Sequence, residues 1–188
     1  TGISIDGKIR LNPLNVSRFQ PYFKKVLAKT PGWLSIDSSF SGNLGGALKT
    51  EGVLKYSSDT KQERAVIRDA RVPHRGGLEY KISMEKDSIN IEELKTETGP
   101  FKFKASGSLK NIFSKDPVVL IDLKTDTFQI NRSIDYLPLK VFPEEYHEVI
   151  HKTFKNGSVK FNSFKFNGTV NQLREISKPE NRRKITGE

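Results

Sequence analysis

A chain of 188 residues is long enough to bury a substantial core and gives one domain as the default. It holds no cysteine, which excludes disulfides, thiolate nucleophiles and thiolate metal sites, and no run reaches the length of an apolar membrane span. The net charge of +10 comes from Lys and Arg spread along the chain among acids, which speaks for solubility and weak attraction to polyanions and assigns no function.

The opening "TGISID", without Met, and the polar end read as the limits of an excised piece, with any anchor or targeting signal outside it. In chain order, the first expected element is a short amphipathic helix around "RFQPYFKKVLAK". There Phe19, Phe23, Val26 and Leu27 share a face, and Pro21 is its first residue or a kink. Alternation then takes over. Ile36, Phe40 and Leu44 share one parity, as do Tyr80, Ile82 and Met84, and as do Phe101, Phe103, Ala105 and Leu109 opposite Lys102, Lys104 and Ser106. This period of two predicts antiparallel strands with one apolar face and one wet face. "PVVLIDL", Pro117 to Leu123, is a continuous apolar run that predicts burial on both faces.

A second helix is expected over Phe142 to Gly157, with Pro143 in its first turn and an apolar stripe of Phe142, Tyr146, Val149, Ile150 and Phe154. Alternation returns at Val159 and Phe161, then at Phe164, Phe166 and Val170. The parity change between the two sets predicts a bulge or tight turn at Asn162 and Ser163. Residues 177–188 read as a polar basic tail around Arg182, Arg183 and Lys184, leaving 1–176 as the β-rich segment.

Within the second helix, His147, Glu148 and His151 spell the H-E-x-x-H of zinc peptidases. Such a site needs a third protein ligand. Phe154 and Gly157 stand where a metzincin continuation needs Gly and His, and the residues after Gly157 read as strand. Both histidines sit at the flank or back of the apolar stripe, so the motif is read as a solvated pair. His74 is a lone loop histidine, Asp122, Asp126 and Asp135 lack calcium-loop spacing, and "NLGGALKTEG" lacks a P-loop ending. No metal or cofactor is expected. Nucleic acid is not an expected partner either, because Phe and Lys of each strand fall on opposite faces.

The most informative feature is an internal repeat. Residues 11–44 and 137–170 each run Pro-Leu, amphipathic helix, Gly, alternating strand, then a glycine flanked by apolar residues at Gly42 and Gly168. "ASGSLKNI" supplies a third such glycine at Gly107. Glycine recurring inside strands suits a bend or a close backbone approach. These stretches, together with "IEELKTETGPFKFKASGSLKNI", resemble the AsmA-like family of bacterial envelope proteins, with its YhdP and TamB relatives, from about Leu11 to Leu173.

The resemblance implies a periplasmic segment of a long protein anchored in the inner membrane, built of repeating β-groove units that act as a bridge for lipids. The resulting expectation is a mainly β fold, a curved antiparallel sheet forming a groove or half-barrel with two short amphipathic helices. Its function is non-enzymatic shielding or conduction of the acyl chains of phospholipid or another acyl lipid. Phe40, Leu44, Phe101, Phe103, Leu109, Phe161, Phe164 and Phe166 are the expected floor. Membrane contact would come through segments outside this chain, and open strand edges allow self-association. The alternatives are a structural or partner-binding β-domain and, further off, a zinc-dependent hydrolase.

Overall fold

The computed structural model describes residues 3–15, 32–43, 45–57, 66–67, 70–71, 75–133, 156–176 and 178–187. The first expected helix, the second up to residue 155, Leu44, His74, His147, Glu148 and His151 lie outside the described residues.

The alternating stretches form strands, as the pattern demands. They are β1 (Ser4–Asn15), β2 (Trp33–Asn43), β3 (Leu48–Ser57), β4 (Val66–Ile67), β5 (Ala70–Arg71), β6 (Arg75–Glu85), β7 (Ser88–Thr98), β8 (Phe101–Lys110), β9 (Val118–Thr125), β10 (Phe128–Gln129), β11 (Ser158–Val159), β12 (Phe164–Thr169) and β13 (Ile185–Gly187). Nine of them make one antiparallel sheet in the order β1-β2-β3-β6-β7-β8-β9-β12-β13, while β4-β5 and β10-β11 are separate two-stranded ribbons. The large sheet is open, with β1 and β13 as its edges. Three single-turn helices complete the described chain: α1 (Ile130–Ser133), α2 (Val170–Arg174) and α3 (Pro179–Arg182).

Spatial order follows chain order, so the connections alternate between the two ends of the sheet. Residues 16–32, 58–74, 99–100 and 126–163 leave from one end; residues 44–47, 86–87, 111–117 and 170–184 turn at the other.

Paired residues in a ladder point to the same side of a sheet, so the register sorts every side chain. One row crosses the strands as Leu11, Ile36, Leu54, Leu78, Thr96, Phe103 and Thr125. The adjacent row, on the opposite face, reads Arg10, Asp37, Val53, Glu79, Lys95, Lys104 and Lys124. The sheet thus has one mainly apolar face and one mainly charged face, the latter interrupted by Val53, Val118 and Leu120. A bulge keeps the faces in phase within β7. Lys81 pairs with Glu93 and Ile82 with Ile91, so Glu92 is the extra residue and the apolar side chains Ile91 and Leu94 stay together.

Three sequence expectations meet a different outcome. The run in β9 was expected to be buried on both faces, yet only Val119 is buried. Val118 and Leu120 stand among Ser108, Lys110, Asn167 and Thr169 and are half-buried. The stretch read as a basic tail supplies α3 and β13, because Ile185 pairs with Phe166 on the apolar face. The irregularity expected at Asn162 and Ser163 is wider: residues 160–163 leave the strand between β11 and β12.

Candidate functional site: an apolar sheet face

The apolar face is continuous from β1 to β13, and within the described chain only two hydrophobic residues are buried, Val119 and Phe166. In an ordinary two-layer fold the inner face of a sheet is sealed by a second layer. Here Ile36, Leu54, Leu78, Leu94 and Phe103, in mid-sheet, are all only half-buried. The six strands of 10–12 residues alone give this face a footprint on the order of 800 Å².

Of the eight residues expected to form the floor, the register puts Phe40, Phe101, Phe103, Leu109, Phe164 and Phe166 on this one face. Phe166 is only 1% exposed and is a packing residue, out of reach of any ligand. Phe161 sits off the strands. Its ring lies 6.3 Å from Phe128, which in turn meets Phe101 edge-on at 5.1 Å, so it closes an aromatic cluster at the end of β8. Leu44 is not among the described residues. The sequence reading missed Leu54, Leu78 and Leu94 at the middle of the face. Alternation at Gly52, Leu54 and Tyr56 was there to be found, whereas the bulge at Glu92 flips the parity and hides Leu94.

Aromatic rings fill the gaps left by glycines on this face. The Phe40 ring covers Gly7, where a Cβ would come within 2.5 Å of it, and the ring of Phe166 covers Gly168 at 2.8 Å. Gly52 stands between Ser38 and Tyr80 in one row, and without a side chain there the Tyr80 hydroxyl reaches the Ser38 hydroxyl at 2.7 Å. Ser38 also lies near the Thr50 hydroxyl and donates to the Glu51 carbonyl. A polar pair on an apolar face is thereby satisfied within the sheet. A Cβ at Gly52 would stand 2.7 Å from the Asp37 carbonyl and 2.9 Å from the Ser38 Cα, and one at Gly107 would collide with the Leu120 carbonyl.

The opposite face is laced by ion pairs between and along strands. Arg10 meets Asp37 at 3.0 Å, Lys102 meets Glu97 at 2.9 Å, and Lys95 meets Glu93 at 2.8 Å. The Lys95 hydrogen bond holds the Glu93 carboxyl below its ordinary range, and the same bond raises the Lys95 ammonium. Four cavities among the described residues, of about 650, 620, 810 and 630 Å³, are lined mainly by side chains of this face. The second gathers Lys55, Lys95, Lys102, Lys104, Lys124 and Lys160. Within it Lys95, Lys104 and Lys124 stand side by side on three neighbouring strands, an arrangement that costs stability.

Comparison with protein-family models, curated proteins and solved structures finds no match to this chain. Among the described residues no helix is long and apolar enough to cross a membrane.

Proposed function

We propose that this chain is a lipid-handling β-groove that shields acyl chains on the apolar face of its sheet, working as a periplasmic segment of a longer AsmA-like envelope protein. The observation that carries the reading is the nine-stranded apolar face on which only Val119 and Phe166 are buried. Acyl chains have no polar atoms to recognise, so a broad non-directional surface serves them, with about 25 cal/mol released per Å² of apolar area removed from water. Close backbone approach at Gly52 and Gly107, both on that face, suits a bend of the sheet at those points. Rings laid over glycines keep such a floor smooth. No bond is broken in moving a lipid, so no residue is assigned a catalytic role. Membrane attachment belongs to segments outside this chain.

A photo-crosslinking side chain placed at Leu78, on the apolar face, is expected to trap a diacyl phospholipid in cells. The same group at Lys81 or Lys104 is expected to trap none. Equal labelling of both faces, or none with no phospholipid in native mass spectra of the purified chain, defeats the proposal. Near-stoichiometric zinc by elemental analysis would instead favour hydrolysis at His147, Glu148 and His151.

One observation favours a second reading, a partner-binding β-domain. The opposed Lys104 and Lys124 gain stability from an acidic protein laid across the charged face. Retention on immobilised polyglutamate that Lys104→Glu with Lys124→Glu abolishes, with lipid labelling unchanged, separates that role from the first.

A further inference from the structure

Among the described strands β1 pairs on one side only, with β2, and its outer edge is open. This edge is also where exposed apolar side chains concentrate. Ile3, Ile9 and Leu11 are 68%, 49% and 41% exposed, three of the six exposed large hydrophobics among the described residues. Ile5, Ile9 and Leu11 continue the apolar face, while Asp6, Lys8 and Arg10 continue the charged one. A long unprotected edge with an apolar side pairs with another strand unless something blocks it.

We propose that β1 is a self-association edge, at which a second copy of this chain pairs antiparallel about a two-fold axis through Gly7. The residues fit themselves in that register. Ile3 comes opposite Leu11 of the second copy, Ile5 opposite Ile9, and Gly7 opposite Gly7, so each exposed hydrophobic gains an apolar partner. On the other face Asp6 comes opposite Lys8 and Ser4 opposite Arg10. Neighbouring registers lack this agreement. Centring on Lys8 sets Lys8 against Lys8, and centring on Ile9 sets Lys8 against Arg10. An offset of one residue faces apolar side chains with charged ones. A two-fold axis along the sheet normal keeps both apolar faces on one side, so the surface runs unbroken across the join. The bulge between Leu11 and Leu14 marks where the pairing ends. This inference is independent of what the apolar face carries.

Sedimentation of the purified chain is expected to show a concentration-dependent dimer. Asp6→Lys or Lys8→Asp alone sets like charges opposite each other and is expected to weaken the dimer at least tenfold, whereas the double exchange restores it. Because the chain is free of cysteine, Ile5→Cys and Ile9→Cys variants report the register directly. Mixed, they are expected to form an interchain disulfide. Alone, neither should, since the equivalent Cα atoms are then four residues apart along the strand, beyond disulfide reach. Circular dichroism of each variant checks that the sheet is intact. A monomer at all concentrations overturns the proposal, as does a dimer that ignores the charge exchange or gives no disulfide in the mixture.

Discussion

Side by side on the apolar face, a glycine and a ring divide one volume between them, and several residues are legible only as such pairs. Gly52 lets Tyr80 cross to Ser38, and its neighbours on the Cβ side are the Asp37 carbonyl and the Ser38 Cα and Cβ, none of which can yield by a change of rotamer. Gly52→Ala is therefore expected to destabilise the fold by about 1–3 kcal/mol, read from urea midpoints. Tyr80→Phe removes one hydroxyl while Ser38 keeps its contacts with Thr50 and the Glu51 carbonyl, so a smaller loss of about 1 kcal/mol is expected. On the charged face the sign reverses. Lys104→Glu puts a carboxylate between Lys95 and Lys124 and is expected to raise Tm by about 1–3 °C. If Lys104→Glu lowers Tm, the register-based view of that face is wrong. The alternation of Phe and Lys in "FKFKASGSL" made both faces of β8 readable in advance. Nothing local in the sequence says that Ser38 and Tyr80, two strands apart, would meet.

Among the elements, α2 has the most explicit local logic. Thr169 ends β12 and caps the helix. Its hydroxyl accepts from the Gln172 N–H, and the Gln172 side chain accepts from the Thr169 N–H, closing a capping box. Asp116, from the loop before β9, accepts from the Asn171 N–H at 3.0 Å, and the Pro117 carbonyl accepts from the Val170 N–H. The first free donors of the helix are thus satisfied, in part by a distant loop. The hydrogen bond from Thr169 first, then that from Asn171, holds the Asp116 carboxyl below its ordinary range. A depressed carboxylate lends stability that is present above its unfolded pKa and lost as pH falls through the folded one. Acidification through the carboxylate range is therefore expected to loosen the joint between α2 and the β8–β9 loop. Asp116→Asn should flatten that acid limb, followed by hydrogen exchange of the Asn171 amide. The pattern Thr169-x-x-Gln172 was a readable start signal, but the strand pattern of "FKFNGTV" masked it by running on to Val170.

At the scale of the whole molecule, the class of fold was plain in the alternation, because period two with one apolar parity has few solutions other than an antiparallel sheet. The candidate face was legible strand by strand. Its extent was not, since only the register shows that one parity in each of nine strands lands on the same side. The meander also has a mechanical consequence. Neighbours along the chain are neighbours across the sheet, so each strand is held by the two flanking it, and β1 and β13 by one each. Damage therefore has no need to spread. Amide protection is expected to be deepest in β6, β7 and β8 and to fall toward both margins. A pull applied at the two termini would peel ribbons away one after another, and the greasy surface would shrink by increments while its middle still held.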